Sequence, residues 1–125
     1  MEFTESHPIY VQISELIKES ILTERYRPGE KIPSVREMAV LTETNPNTVM
    51  RSYSLLQESA MIYQKRGLGY FVADDAQTLI RREKRNDFVE REVPRLFRLM
   101  ELLDLPFEEL RALHEEFHGL KEENQ

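Results

Sequence analysis

The sequence predicts a mainly α-helical protein with one small β-hairpin. Three patterns predict this fold class. Apolar residues recur at helical spacing in several segments, and strong N-cap residues, Ser34 and Asn45, precede two of them. Two short apolar and aromatic segments flank a glycine-containing loop at residues 65–69. From Asp74 onward the apolar residues return to helical spacing.

The totals limit the possible functions. A chain of 125 residues with 40% hydrophobic residues can form one domain, or a small domain with an appendage, around a modest core. The absence of cysteine excludes disulfides, thiolate catalysis and cysteine-based zinc sites. No apolar run approaches the roughly 18 residues of a membrane span, and the N-terminus has no signal-peptide hydrophobic segment. We therefore expect a cytoplasmic protein with no membrane partner.

The first helix is predicted from Pro8 to Leu22, with Pro8 in its first turn. Lys18 and its charged neighbours are expected on the solvent side. The turn signal Arg27-Pro28-Gly29 ends the helix near Glu24. The inward stripe consists of Ile9, Ile13, Leu16, Ile17 and Ile21.

A helix-turn-helix follows. Ser34 and Glu37 have the spacing of a capping box at the start of the second helix. Asn45 is the predicted N-cap of the third helix, and Pro46 its first residue. Only the segment Thr42–Thr44 remains between the two helices, which is the tight connection that this motif requires. The predicted inward residues are Val35, Met38, Ala39 and Leu41 in the second helix and Val49, Tyr53 and Leu56 in the third.

A β-hairpin is predicted directly after the third helix. Its strands are Met61–Gln64 and Tyr70–Val72, and the loop between them is basic and rich in glycine. A basic hairpin placed after a helix-turn-helix makes a winged helix. Residues 1–73 are therefore predicted to form a winged helix-turn-helix domain that binds DNA.

Residues 74–125 are predicted to form a helical dimerisation region that ends in an αα-hairpin. The charged run Arg81–Asp87 interrupts the apolar pattern, and Pro94 indicates a kink or a helix restart near Glu92. A turn is predicted at Asp104–Pro106, and Gly119 is expected at a helix C-terminus. Such a hairpin cannot hide its apolar face alone, so we expect it to join two copies of the chain.

The net charge of −6 does not oppose a nucleic-acid partner, because most of the acidity lies in the C-terminal region. Residues 25–73 contain seven basic and four acidic residues, whereas residues 74–125 contain nine basic and fourteen acidic residues. Phosphate binding depends on Lys and Arg near the contact surface. The charge distribution therefore argues neither for nor against DNA binding.

The candidate DNA contacts lie in the helix-turn-helix and in the hairpin loop. A helix N-terminus favours phosphate, Asn can pair with adenine, and Thr or Met can contact the thymine methyl group. Arg36 would reach the sugar-phosphate backbone from the second helix. The alternative is that Asn45 only caps its helix and that the other side chains are solvated. The remaining candidates from the residues themselves are Asn45, Asn47, Thr48, Met50 and Arg51 in the third helix and Lys65, Arg66 and Gly67 in the loop.

Nothing in the sequence predicts an enzyme, a cofactor or a metal site. The chain has no Ser-His-Asp order, P-loop or Rossmann glycine pattern. His114 and His118 form an i, i+4 pair, but such pairs are common on helix surfaces and no third ligand is evident.

The ordered motifs of residues 8–73 resemble those of the GntR family of bacterial transcriptional regulators. The matching segments are Pro28-Gly29, Ile32–Glu37, Asn45–Val49, Tyr53, Leu56 and Arg66–Val72. The Asn-Pro-Asn-Thr-Val segment and the short tail are most similar to the YtrA subfamily, in which a short helical dimerisation tail replaces a large effector-binding domain.

This resemblance implies a homodimeric regulator, more often a repressor, that binds a palindromic operator in double-stranded DNA. It implies operator contacts by Arg36, Asn45, Pro46, Asn47, Thr48, Met50, Arg66 and Gly67. Glu43 and Ala60 stand where the family usually has glycine, and Met50 stands where it often has Arg, so base preference at Met50 is not carried over. The sequence identifies no small-molecule effector. The rival hypothesis is a winged helix used only for protein–protein contact.

Overall fold

The computed structural model describes residues 2–123, except the side chains of residues 122 and 123. The chain separates after Glu83 into two compact units, which are described one at a time. The described elements are α1 (Ile9–Leu22), α2 (Val35–Thr42), α3 (Pro46–Glu58), β1 (Ile62–Lys65), β2 (Gly69–Val72), α4 (Ala76–Asp87), a π-helical segment (Phe88–Glu92), α5 (Val93–Leu102) and α6 (Phe107–Glu123). The mainly helical fold with one antiparallel hairpin is confirmed.

Helix α1 has Pro8 as its N-cap and buries Ile13, Ile17 and Ile21 of the predicted apolar stripe. Leu16 is half-buried, and the inward position predicted for Ile9 is wrong, because Ile9 in the first turn is 44% exposed. The expectation that Lys18 lies on the solvent side is wrong, because only 8% of this residue is exposed. Its Nζ lies 2.8 Å from Glu83 Oε1 and 3.1 Å from Glu15 Oε1. Burial alone would lower the pKa of Lys18, but its hydrogen bonds to Glu83 and Glu15 outweigh burial and raise that pKa.

The capping box at the start of α2 is confirmed. The Ser34 hydroxyl accepts from the Glu37 N–H at 3.1 Å, and the Ser34 N–H donates to Glu37 Oε1 at 3.0 Å. Met38 and Ala39 are buried as predicted, but the inward position predicted for Leu41 is wrong, because this side chain is 62% exposed. The buried face of the helix follows Met38, Ala39 and Thr42, and Leu41 lies beside that stripe on the helical wheel.

Helix α3 is confirmed with its Asn45 cap, and it forms the centre of the core of the first unit. Its three predicted inward residues are fully buried. Tyr53 donates a hydrogen bond to the Pro33 carbonyl at 2.6 Å, and its ring meets that of Tyr70 edge-on with centroids 4.9 Å apart. Burial raises the pKa of the Tyr53 phenol. These contacts fix α3 against both the segment before α2 and the hairpin.

The hairpin pairs Ile62 with Val72 and Lys65 with Gly69 in antiparallel register. The segment before α2 adds hydrogen bonds to the outer edge of β2, since Ile32 N–H donates to the Tyr70 carbonyl at 2.9 Å. Glu43 and Ala60, the two positions without the family's usual glycine, have φ angles of 54° and 60°. The chain therefore keeps the left-handed turns there without glycine.

Helix α4 contributes to the core of the first unit. Ala76 and Ile80 are fully buried, and Gln77 Nε2 donates to the Ile21 carbonyl at 3.1 Å. The compact unit consequently extends to Glu83. The division into domains 1–73 and 74–125 remains a prediction about function.

Over its described residues, the second unit consists of helices joined by a turn, and the turn predicted at Asp104–Pro106 lies between α5 and α6. The charged run Arg81–Asp87 is helical, and Pro94 lies in the first turn of α5. The restart predicted near Glu92 takes the form of a π-helical segment, since Asp87, Glu92 and Val93 all keep right-handed helical backbone angles. The C-terminal position predicted for Gly119 is wrong, because α6 continues to Glu123. Between residues 84 and 121 no residue is buried. None of the described helices is both long enough and apolar enough to span a membrane.

Candidate nucleic-acid interface

The first two turns of α3 present a polar surface. Asn45, Pro46, Asn47, Met50 and Arg51 are exposed. These residues precede and alternate with the buried stripe, which anchors the opposite face of the helix. The surface therefore stands on a rigid support, as base reading requires.

Asn45 and Thr48 are partly occupied by capping. Asn45 Oδ1 accepts from the Thr48 N–H at 2.9 Å and from the Thr48 hydroxyl at 3.2 Å. Capping, the alternative weighed from the sequence, is thus part of the role of Asn45. The Asn45 amide N–H₂ group makes neither of these bonds, so it remains a donor that could face DNA. Asn47 makes no such capping bond and is the better candidate for reading a base edge.

Met50 connects α3 to the hairpin. The Tyr70 hydroxyl donates to Met50 Sδ at 3.8 Å, and 45% of Met50 is exposed. One side of this residue therefore packs at the junction, while the other can meet an apolar group such as a thymine methyl.

Arg51 is held from one side by an aromatic ring. Its Cζ lies 4.0 Å from the centroid of Tyr10, in the first turn of α1. Sequence reasoning missed Tyr10, because 41 residues separate it from Arg51 and no short motif links the two positions.

Arg36 is exposed in the first turn of α2, between the two members of the capping box. The pKa of Glu37 is lowered, first by its bond from the Ser34 backbone N–H and then by the Ser34 hydroxyl. A charged Glu37 keeps the box closed and so fixes the backbone that carries Arg36.

The hairpin tip combines a lysine side chain placed over an aromatic ring with an exposed turn. Lys65 Nζ lies 4.8 Å from the centroid of Phe71, whose ring stacks on Tyr63 at a centroid distance of 5.8 Å. Arg66 and Gly67 form the turn itself, and both are exposed. Gly67 has φ of 77° and no heavy atom within 4 Å of a Cβ placed on it, so the turn leaves room for another molecule to approach.

A metal site would need several ligand side chains close together. Among the described side chains of residues 2–121, no three from His, Asp or Glu cluster in a way that could hold an ion. His114 and His118 therefore remain a pair without a third ligand in that part of the chain.

The fold and interface agree with a known family of regulators. The family model described as bacterial regulatory proteins, gntR family, matches residues 9–72. The chain belongs to the GntR family. Two Bacillus subtilis relatives support this assignment. The HTH-type transcriptional regulator YhcF is 39% identical over 92 residues, which cover 74% of each chain. The HTH-type transcriptional repressor YtrA is 41% identical over 75 residues, or 60% of this chain and 58% of YtrA.

Solved GntR structures show the same fold. A GntR-family transcriptional regulator from Bacteroides thetaiotaomicron superposes with a TM-score of 0.79 at 41% identity, covering 91% of this chain and 99% of that one. The DNA-binding domain of AraR in complex with an operator has a TM-score of 0.53 at 27% identity. That match covers 58% of this chain and 89% of the AraR domain. The chain is thus a GntR-family transcriptional regulator with a DNA-binding helix-turn-helix.

Proposed function

We propose that the protein is a homodimeric repressor that binds a palindromic operator through two winged helices. The observation that carries the proposal is the exposed polar face of α3, which is capped at its start and supported by a closed core. A two-fold dimer would place its two α3 helices in major grooves roughly one helical turn or more apart.

Each candidate residue has a distinct role in this proposal. Asn47 and Met50 read bases, because their side chains are exposed on the outer face of α3. Arg36, Arg51 and Arg66 hold the sugar-phosphate backbone. Asn45 and Pro46 shape the start of α3, whose positive helix-dipole end would face a phosphate. The remaining candidates act beside these residues: Thr48 next to the cap, Lys65 at the end of β1, where the structure places it instead of in the predicted loop, and Gly67 in the hairpin turn.

Dimerisation through the tail is supported by its unsatisfied apolar surface. Leu102, Leu103, Phe107 and Phe117 are more than half exposed, and α5 buries none of its residues. Exposed apolar surface on this scale normally marks a protein interface. A second copy would supply the same helices and a self-complementary interface with two-fold symmetry.

The comparisons favour this proposal over a winged helix that contacts only proteins. YtrA is named a repressor, and the AraR domain was solved with an operator. Bacterial operators are part of the chromosome, which lies in the cytoplasm. The proposal therefore retains the cytoplasmic location expected from the sequence.

Selection of bound duplexes from a random pool tests the proposal most directly. We expect an enriched inverted repeat, and its half-site spacing would report the distance between the two α3 helices. A gel shift with that duplex should weaken steeply between low and moderate salt, because counterion release dominates phosphate binding. Failure to retain any duplex at low salt would contradict DNA binding, and enrichment of a single half-site would contradict the dimer.

A further inference from the structure

Tyr10 lies under the side chain of Arg51, although the two residues belong to different helices. We propose that Tyr10 is a positioning residue for DNA binding, which holds the Arg51 guanidinium in its binding pose before DNA arrives. This inference rests on the proposed function, in which Arg51 contacts a phosphate.

The backbone that carries the Tyr10 ring is fixed in place. The Tyr10 carbonyl accepts a hydrogen bond of 2.6 Å from the hydroxyl of Ser52, a fully buried residue that directly follows Arg51 in α3. This bond ties the first turn of α1 to the turn of α3 that carries Arg51. Because both partners of the stack are attached to the same junction, their relative position does not depend on flexible segments.

The segment before α1 is tied to the same helix. Gln12 Nε2 donates to the carbonyls of Thr4 and His7 at 2.8 Å each, and the Thr4 N–H donates to Gln12 Oε1 at 2.9 Å. These three bonds hold residues 4–7 against the first turns of α1. Tyr10 thus lies in a well-supported part of the molecule.

The stack leaves the hydrogen-bonding edge of Arg51 available. A cation is attracted to the face of an aromatic ring, and here the guanidinium carbon is 4.0 Å from the ring centroid. Among the side chains described, those of residues 2–121, no carboxylate forms an ion pair with Arg51. The face of a guanidinium can therefore rest on the ring while its planar N–H groups bind a phosphate in a bidentate manner.

Holding Arg51 in advance should strengthen binding without changing specificity. A free arginine side chain loses much rotamer freedom when it binds, and a side chain that is already ordered loses less. Because phosphates carry no sequence information, loss of the ring should weaken operator and random duplexes equally.

The test measures dissociation constants for the selected operator and a random duplex over a series of salt concentrations. We expect Tyr10→Phe, which keeps the ring, to remain within about twofold of wild type, and Tyr10→Leu to weaken both duplexes about three- to tenfold. Arg51→Met should reduce the salt slope by about one. In the Arg51→Met background, Tyr10→Leu should add less than about twofold, since the two residues act as one unit.

Two results would overturn the inference. An equal loss for Tyr10→Phe and Tyr10→Leu would mean that the hydroxyl contacts DNA directly. An undiminished loss for Tyr10→Leu in the Arg51→Met background would mean that the ring does not act through Arg51.

A measurement on the DNA-free protein separates the pose from folding defects and from DNA binding. The Arg51 side-chain protons should show upfield ring-current shifts by NMR in wild type and in Tyr10→Phe, and lose them in Tyr10→Leu. Ordinary Arg51 shifts in wild type would refute the stack. Absence of binding by wild type to any duplex at low salt would instead count against the proposed function, and the NMR comparison would still decide the pose.

Discussion

Arg36 and Asn47 differ in what they would contact, and this difference can be measured. Asn47→Ala should lower affinity for the selected operator by about 1–3 kcal/mol and leave binding to random duplexes nearly unchanged, because only base contacts discriminate. Arg36→Ala should weaken both duplexes and reduce the salt slope by about one. Binding titrations on both duplexes test the pair, and equal losses for Asn47→Ala on the two would rule out base reading by that residue.

Because of the capping box of α2, the stability of the folded protein should decrease as the pH falls into the acid range. Because the pKa of Glu37 is lower in the folded chain, its stabilising effect is present above about pH 4.3 and disappears as pH falls through the folded pKa. Ser34→Ala should raise the pKa of Glu37 part of the way to its ordinary value and cost about 1 kcal/mol of stability. Ser34→Thr keeps a capping hydroxyl and is the control. An NMR titration that gave one Glu37 pKa in all three proteins would contradict this account.

At the residue scale, the sequence predicted the features that depend only on neighbouring residues. Ser34 follows from its three-residue spacing to Glu37, and Asn45 from the Pro46 directly after it, and both caps are confirmed. The sequence predicts Lys18 in solvent, and this is wrong because its partner Glu83 lies 65 residues away, where no local pattern indicates the contact. Tyr10 was missed for the same reason, since only the packing of α1 on α3 brings its ring to Arg51.

The turn between α2 and α3 carries a strained residue. Glu43 has φ of 54°, a conformation that costs an ordinary L-residue about 1–2 kcal/mol. Glycine would avoid that cost, but its greater freedom in the unfolded chain would destabilise the folded state by about 0.5–1 kcal/mol. Glu43→Gly should therefore stabilise the protein by about 0.5–1 kcal/mol. Glu19→Gly is the matched control and should destabilise by about 1 kcal/mol, because Glu19 lies inside α1. Urea unfolding compares the two, and equal destabilisation by both would contradict the strain.

The ion pairs of Lys18 with Glu15 in α1 and with Glu83 in α4 should weaken at alkaline pH. Because the pKa of Lys18 is raised in the folded chain, its contribution is fully present below about pH 10.4 and is lost as pH rises through the folded pKa. Lys18→Met should therefore be less stable than wild type at pH 9, with the difference shrinking towards pH 12. Unfolding curves across this range provide the measurement. A constant difference would show that Lys18 acts through packing alone, and Lys18→Arg should keep the stability at high pH.

At the element scale, the sequence located the helices of the first unit and the hairpin but not all of their faces. A short amphipathic helix has few residues from which to assign its inward side, so Leu41 in the last turn of α2 was misplaced. Gly119 was expected to end α6, yet a glycine inside a helix costs only about 1 kcal/mol, and neighbouring helix formers outweigh it.

The whole molecule should depend on association through its tail. Phe117→Glu should convert a dimer into a monomer at micromolar concentration, because it places a charge on an exposed apolar surface of α6. Operator affinity should then fall at least tenfold, since two linked half-site contacts become one. Val40→Glu alters an equally exposed apolar residue of α2 and should leave a dimer. Sedimentation distinguishes these outcomes, and a monomeric wild type would contradict the proposed assembly.

At the scale of the whole molecule, the sequence indicated two parts but could not place their structural boundary. The composition changes near Asp74, whereas the first compact unit continues to Glu83 because Ala76 and Ile80 complete its core. The charge balance depends mainly on exposed residues, and the burial of two apolar side chains changes the composition very little.

Because no residue between 84 and 121 is buried within one chain, the proposed regulation would depend on the concentration of the protein itself. Under the dimer proposal, these residues gain a core only from a second copy. At concentrations below the dimer dissociation constant, the amount of dimer rises with the square of total protein, so a doubling of synthesis gives about four times as much operator-competent protein. Dilution during cell growth would then relieve repression without any inducer.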